Sequence, residues 1–100
     1  MSKPFIVIPA FNEASTIENV VNSVKKYVDN VIVIDDGSKD RTYELAIKSG
    51  AIVLKSHNNL GYDSSLEFGF EYALKQGATS ILTIDADGQH PVDLLPKMLD

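Results

Sequence analysis

The sequence contains no cysteine. This absence excludes a disulfide scaffold, a thiolate metal site and a thiol nucleophile, and it is compatible with a reducing compartment. Any metal ion must therefore be held by oxygen or imidazole ligands. The uncharged apolar run near the start, Pro4 to Phe11, is far shorter than the roughly 20 residues of a membrane-spanning helix. We expect no membrane insertion through this segment.

Basic residues are fewer than acidic ones in this sequence. Nine Lys and Arg residues stand against fourteen Asp and Glu residues, which gives a formal net charge of -5. A chain with this charge lacks the basic surface that binds the phosphates of a nucleic acid, so we do not expect nucleic acid as a partner. With 44% hydrophobic residues in a length of 100, the composition is that of one ordinary soluble domain rather than of a disordered chain.

The last residues, up to Asp100, have the pattern of a helix that has just begun, with no capping glycine behind it. No linker or internal repeat interrupts the chain before them. We therefore expect residues 1–100 to form one domain, truncated at its C-terminal side, as the front part of a longer protein.

Four short runs rich in β-branched residues predict strands that are buried on both faces. They are Phe5–Ile8, Val31–Ile34, Ala51–Leu54 and Ser80–Ile84. None of them alternates between apolar and polar residues, which is typical of strands in a parallel sheet.

Helical patterns fill the intervals between these strands. Ser15–Glu18 fits a capping box, and the helix that follows has a single apolar stripe. Further helices are predicted over Asp40–Ser49 and Ser64–Gln76, each followed by a glycine. The stripe of the first helix consists of Ile17, Val20, Val21, Val24 and Val28.

The element order is thus β-α-β-α-β-α-β. Strands separated by single helices pair in parallel through right-handed crossovers, with helices on both faces. This order predicts an open, doubly wound α/β sheet. In such sheets a ligand binds beyond the carboxyl ends of the strands, where the strand order reverses.

Polar side chains follow three of the four strands, at the edge where a ligand is expected. They are Asn12 and Glu13 after the first strand, Asp35 and Asp36 after the second, and Asp85 and Asp87 after the fourth. Because the carboxyl ends of parallel strands meet at one edge, we expect these groups to converge.

Asp85 and Asp87 flank a single alanine, so both carboxylates can face one hard cation. Mg²⁺ or Mn²⁺ in such a site completes its coordination shell with water and phosphate oxygens, which points to a phosphorylated substrate. The alternative is a pair of solvated turn aspartates before Gly88, because turns favour Asp and Gly in their own right.

Two interpretations are also open for Asp35 and Asp36. One of the two acids accepts a hydrogen bond from a nucleobase or ribose, or both belong to a tight turn and cap the helix that follows. Asn12 and Glu13 either begin a helix or contact a ligand above its N-terminus.

Several other polar and aromatic residues have simpler explanations. His90, beside Gln89, is within reach of a metal or phosphate but fits a surface loop better, and turn formation accounts for His57. Four aromatic residues near the third helix fit core packing better than a stacking platform. They are Tyr62, Phe68, Phe70 and Tyr72.

Taken together, these blocks resemble the N-terminal, nucleotide-sugar-binding half of family 2 glycosyltransferases, which have the GT-A fold with a Rossmann-like half. The resemblance spans nearly the whole chain and keeps the family's order and spacing. Its blocks are Ile8-Pro-Ala-Phe-Asn-Glu13, Val33-Ile-Asp-Asp-Gly-Ser38 with Asp40 and Thr42 behind it, Asn59-Leu-Gly61, Gly69-Phe-Glu-Tyr-Ala-Leu74 and Asp85-Ala-Asp-Gly-Gln-His90.

The resemblance implies a role for each matching residue. Pro9, Phe11 and Asp36 would hold the nucleobase, and Glu13 and Asp35 would line the same pocket. Asp85 would face the ribose, the diphosphate and the metal, and Asp87 would be the direct ligand of Mg²⁺ or Mn²⁺.

The implied reaction is inverting transfer of a sugar from a nucleoside-diphosphate sugar to an acceptor, while the cation neutralises the leaving diphosphate. The last motif is similar to that of enzymes that use a polyprenyl phosphate, which implies a lipid-linked acceptor and a place in the cytoplasm, at the cytoplasmic face of a membrane. The family's catalytic base lies further along the chain, so the catalytic residue is unknown here and we expect this segment alone to lack one. Asp63 stands where the family has a small residue, and we expect it to cap the third helix.

Two alternatives from other classes stay open. A haloacid-dehalogenase-like phosphohydrolase also uses an Asp-x-Asp pair, with the first Asp as nucleophile, but normally on its first strand. A fragment that binds nucleotide without activity would leave a sheet edge exposed and would self-associate. A dinucleotide-binding module is excluded, because no glycine follows the first strand in Pro9-Ala-Phe-Asn-Glu-Ala14.

Overall fold

A computed structural model describes residues 2–56 and 59–87. Strands and helices alternate through this part of the chain, which confirms the predicted order and the α/β class. The elements are β1 (Pro4–Ala10), α1 (Ile17–Lys25), β2 (Asn30–Asp35), α2 (Thr42–Lys48), β3 (Ile52–Lys55), α3 (Tyr62–Lys75) and β4 (Ser80–Thr83).

All four strands run parallel in one sheet, in the order β3-β2-β1-β4. The chain moves outward in one direction from β1 through β2 to β3, and α3 then returns it to the other side of β1. The strand order therefore reverses at β1 and β4. In this class of sheet the crevice at that point is where ligands bind.

Two apolar layers cover the sheet. On one face α1 and α2 pack over Ile6, Ile8, Val31 and Val33, and on the other α3 packs over the alternate residues of the same strands. The two central strands, β1 and β2, are buried on both faces as predicted. The same prediction was wrong for β3 and β4, whose residues are half-buried or exposed, because these strands lie at the edges of the described sheet.

The helix boundaries differ from the predicted ones in their caps. The N-cap residue of α1 is Thr16, and its side chain makes no capping hydrogen bond. The predicted capping box is therefore absent. α3 follows Gly61 and begins at Tyr62. Asp63 therefore lies inside the first turn and does not cap the helix as expected. Gly61 takes over the boundary because its φ of 94° is a left-handed conformation that costs glycine little. Among the described residues, no helix has the length and apolarity needed to cross a bilayer.

Gly69 lets α3 approach the sheet closely. A Cβ atom at this position would lie 2.5 Å from Val7 Cγ1 and 3.3 Å from Ile34 Cδ1. Both neighbours are fixed in the buried core and have little room to move. Glycine inside a helix costs stability relative to alanine, but at this position the close packing against the sheet requires it.

We expect Gly69→Val to lower the free energy of unfolding of the intact protein by about 1 to 3 kcal/mol, because the added atoms overpack the core. Urea denaturation followed by circular dichroism measures the loss. Glu71→Val, at an exposed position on the same helix, is the matched control and should change stability by only about 0.5 kcal/mol. Equal losses in the two variants would contradict the close-approach argument.

Candidate functional site

A cavity of about 460 Å³ opens at the carboxyl ends of β1, β2 and β4, where the strand order reverses. Six of the seven residues to which the resemblance assigns a role line it. They are Pro9, Phe11, Glu13, Asp36, Asp85 and Asp87. The structure therefore brings together side chains from three separate strand ends. A second cavity, of about 450 Å³, lies beside Lys55 and α3 and contains none of them.

Of the residues expected at this edge, Asn12 and Asp35 do not line the cavity. The clearer case is Asp35. It continues the side-chain alternation of Val31 and Val33, and so lies on the face that α1 and α2 cover. Its side chain is fully buried, and its Oδ1 accepts a hydrogen bond of 3.1 Å from the Ser38 backbone N–H. Its Oδ2 has no hydrogen-bond partner in the described part of the chain.

Asp36 joins two walls of the cavity. Its Oδ1 accepts from the Leu60 N–H at 2.5 Å and its Oδ2 from the Gly61 N–H at 2.8 Å. The residue is only 5% exposed. Asp36 thus fixes the chain just before α3 from the end of β2. The interpretation of this pair of acids as caps of α2 was wrong, because the N–H groups that they accept from, of Ser38, Leu60 and Gly61, all lie outside that helix.

The turn that carries Asp85 and Asp87 is fixed from the start of α1. The Thr16 hydroxyl donates a hydrogen bond of 2.5 Å to the carbonyl oxygen of Ala86, whose side chain is buried. This bond orients the two aspartates that flank Ala86.

Tyr62 is a cavity residue that the sequence interpretation missed. It was assigned to the core with the other aromatic residues of α3, but it is 54% exposed and lines the cavity. Its hydroxyl donates to Asp85 Oδ1 at 3.3 Å. Partial burial, followed by the negative charge of Asp85, raises the pKa of Tyr62 above its ordinary value. Phe68 is exposed as well, whereas Phe70 and Tyr72 pack against the core as predicted.

Helical spacing explains why Tyr62 was missed. It lies four residues before Leu66, on the same stripe as Phe70, so periodicity alone assigns it to the core. The first turn of α3, however, lies at the cavity and not over the buried strands. Its position immediately after Gly61, at the very start of the helix, was the available signal.

Ser65 adds an unused polar group to the same wall. It lies in the first turns of α3, lines the cavity and is 1% exposed. Its Oγ has no hydrogen-bond partner among the described residues. A buried hydroxyl without a partner is costly, so it is suited to a ligand oxygen that supplies one.

The cavity is strongly acidic. Four carboxylates line it, from Glu13, Asp36, Asp85 and Asp87, and no Lys, Arg or His is among its described lining residues. An anionic ligand would be repelled by this wall unless a cation came with it. In the described part of the chain no group of three or more acids or imidazoles is arranged around one point. The Asp85 and Asp87 pair is therefore the candidate for a cation that shares its shell with a ligand.

Some residues considered from the sequence lie outside the described residues. They are His57, Gln89, His90 and Asp100.

The parallel sheet and the cavity at its reversal point are those of an open, doubly wound α/β domain with a ligand site at the strand ends. The sequence model of the family described as glycosyl transferase family 2 matches residues 5–100, so the chain belongs to that family. This confirms the resemblance seen in the motifs and leaves no support for the phosphohydrolase alternative. The fold class is confirmed with it.

Individual relatives agree with this assignment. An uncharacterised protein of Methanocaldococcus jannaschii is 44% identical over 86% of this chain and 36% of its own length. The UDP-N-acetylglucosamine–dolichyl-phosphate N-acetylglucosaminyltransferase of Methanococcus voltae is 34% identical over 95% of this chain and 45% of its own length. The chain thus spans less than half the length of the curated relatives it matches.

A solved structure is similar in fold as well as in sequence. It is the glucosyl-3-phosphoglycerate synthase of Mycobacterium tuberculosis in complex with Mn²⁺, UDP and glucosyl-3-phosphoglycerate. Its TM-score is 0.75 at 31% identity, over 98% of this chain and 40% of the synthase. The same synthase has also been solved with Mg²⁺ and UDP.

Proposed function

We propose that the protein transfers a sugar from a nucleoside-diphosphate sugar to a polyprenyl phosphate, with inversion at the anomeric carbon. The observation that carries this proposal is the acidic cavity at the strand ends of a family 2 glycosyltransferase chain. The relative from Methanococcus voltae, which is named for a dolichyl-phosphate acceptor, supports a lipid-linked acceptor. With such an acceptor, we expect the reaction to take place at the cytoplasmic face of a membrane.

The electrostatics of the cavity require a cation for this donor. A nucleoside diphosphate is an anion, and the described walls offer it four carboxylates and no basic side chain. Carboxylate oxygens are the ligands that Mg²⁺ and Mn²⁺ prefer, and these ions keep positions for phosphate oxygens. Asp87 and Asp85 would hold the ion. When bound, it supplies charge neutralisation for the departing diphosphate.

The remaining walls suit the other parts of the donor. Phe11 presents a ring that is 43% exposed, next to Pro9, and so offers an apolar surface to a planar base. Glu13 supplies a carboxylate oxygen that can accept a hydrogen bond on the same side of the cavity. Across the cavity, the Ser65 hydroxyl is available to a ligand oxygen, and Tyr62 orients Asp85 through its hydrogen bond.

A phosphate acceptor can attack without a catalytic base. The second pKa of a phosphate monoester is about 6, so at neutral pH the attacking oxygen already carries a negative charge. This oxygen forms the new bond to the anomeric carbon. The bond from that carbon to the diphosphate breaks, and its electron pair leaves with the nucleoside diphosphate. No proton has to be removed from the acceptor.

Release of nucleoside diphosphate from sugar donors tests the proposal. The intact protein is incubated with Mn²⁺, a short-chain polyprenyl phosphate and UDP-sugars or GDP-sugars in parallel. We expect release with at least one donor to depend on the acceptor and to stop with the matching polyprenol, which lacks the phosphate. Release that is the same with and without polyprenyl phosphate, for every donor, would contradict the proposed acceptor.

A further inference from the structure

The loop after β1 is held by side chains from the segment after β2. Three consecutive backbone N–H groups of this loop each donate to a different side chain. The pairs are Asn12 with Ser38 Oγ at 2.8 Å, Glu13 with Thr42 Oγ1 at 2.9 Å, and Ala14 with Asp40 Oδ2 at 3.2 Å. We call the three acceptor residues, Ser38, Asp40 and Thr42, the loop clasp.

The backbone of this loop turns sharply at Asn12. Its φ of 55° lies in the left-handed region, which asparagine adopts more readily than most residues other than glycine. Its side chain is also tied to the clasp segment, since Asn12 Oδ1 accepts from the Lys39 N–H at 2.8 Å. The loop conformation is therefore imposed by contacts that lie far away in the sequence.

Thr42 is the best-defined member of the clasp. Its side chain is fully buried, and its hydroxyl donates to Asp40 Oδ1. A hydroxyl has one proton, so this bond commits the donor and leaves only lone pairs for the Glu13 N–H. Asp40 Oδ1 also accepts from the Thr42 N–H at 3.0 Å. The Asp40 carboxylate therefore orients the hydroxyl that holds Glu13.

The charge of Asp40 is maintained by the same contacts. Partial burial raises the pKa of Asp40, but hydrogen bonds from the hydroxyl and N–H of Thr42 and from the Ala14 N–H outweigh it. The pKa of Asp40 consequently lies below its ordinary value. At neutral pH the carboxylate is ionised and accepts all of these hydrogen bonds.

The loop that the clasp holds carries two residues of the cavity. Phe11 and Glu13 line it, while none of Ser38, Asp40 and Thr42 does. Phe11 directly precedes Asn12, whose N–H is bound by Ser38, and the Glu13 N–H is the group that Thr42 binds. A change in the clasp therefore displaces the cavity wall without touching a ligand.

We propose that Ser38, Asp40 and Thr42 are positioning residues that set donor affinity by fixing Phe11 and Glu13. This inference rests on the proposed function, since it assumes that the cavity binds a nucleoside diphosphate. A purely structural clasp would only hold the start of α1 against the start of α2. Such a clasp would affect stability but not the affinity of the folded protein.

Thr42→Val separates these two roles, because it keeps the size of the side chain and removes both functions of the hydroxyl. UDP and GDP are titrated into the intact protein with Mn²⁺ by calorimetry, at a temperature where circular dichroism shows the variants to be folded. We expect Thr42→Val to raise the dissociation constant about 10-fold, because a buried hydrogen-bonding group loses its partner. Thr42→Ser restores the hydroxyl and should lie within about twofold of the wild type.

Thr79→Val is the matched control. Thr79 Oγ1 accepts a hydrogen bond of 2.7 Å from the Lys3 backbone N–H, at the opposite end of the sheet. The same substitution there removes the same kind of bond and should leave the dissociation constant unchanged. In the transfer assay, Thr42→Val should raise KM for the donor while KM for the acceptor stays constant.

Each outcome decides one question. A Thr42→Val protein that is folded and binds like the wild type overturns the positioning role. If that variant does not fold, Ser38→Ala is judged by the same criterion. We expect it to raise the dissociation constant by about threefold, because it removes a single hydrogen bond that is more exposed than those of Thr42. If the wild type binds neither UDP nor GDP, the proposed function fails and not the clasp.

Discussion

Asp87→Asn is expected to abolish cation-dependent binding of the nucleoside diphosphate. The substitution keeps the shape of the side chain but removes the negative charge that attracts the cation. Changes in groups that merely support metal ligands already cost about 10- to 100-fold in metal affinity, so a direct ligand should cost about 100-fold or more. Because the diphosphate depends on the cation to enter an acidic cavity, its affinity should fall in parallel.

Calorimetric titration of UDP and GDP, with Mn²⁺ and with a chelator, measures this effect on the intact protein. Asp63→Asn is the control, since Asp63 is an exposed carboxylate in the first turn of α3 but does not line the cavity. It should bind as the wild type does. Equal affinity of the wild type with and without chelator would exclude the proposed role of the cation.

Asp36→Ala should weaken both the fold and the nucleoside pocket. The carboxylate accepts from two backbone N–H groups, of Leu60 and Gly61, and it is nearly buried. Removing it should cost about 1 to 3 kcal/mol of stability, because both donors lose a charged partner. The wall before α3 then loses its connection to β2, and the nucleoside should bind more weakly even without phosphates.

Free uridine and guanosine distinguish this role from that of Asp87. We expect Asp36→Ala to reduce nucleoside binding, whereas Asp87→Asn should leave it near the wild-type value, since a nucleoside brings no diphosphate to the cation. Thermal unfolding measures the stability loss of the Asp36 variant in the same samples. If both variants impaired only the diphosphate, the assignment of Asp36 to the base pocket would be wrong.

The fold could be predicted from the sequence because local signals and general rules agree. Apolar runs such as Val31–Ile34 have the composition of strands buried on both faces, and each is followed by a helix, which leaves parallel pairing as the solution. That topology alone brings together Glu13, Asp85 and one of the adjacent acids that end β2. The order β3-β2-β1-β4 then places these residues where the sheet reverses.

What could not be predicted depends on contacts between distant parts of the chain. Asp35 and Asp36 are adjacent acids, and only the alternation of β2 in the folded sheet decides that Asp36 faces the cavity. The partners of Asp36, Leu60 and Gly61, lie too far along the chain for any local rule. The Thr16 hydroxyl bonds to the Ala86 carbonyl, 70 positions further along the chain, so no local pattern indicates this contact.

The central claim is that the cavity at the strand ends binds a nucleoside diphosphate together with a divalent cation. A crystal structure of the intact protein soaked with Mn²⁺ and the diphosphate that binds more tightly, UDP or GDP, tests it most directly. We predict an anomalous Mn²⁺ peak at ligand distance from Asp87 and the diphosphate, with the base against Phe11. Nucleotide bound in the second cavity, beside Lys55 and Glu71, or a Mn²⁺ peak remote from Asp85 and Asp87, would contradict the account.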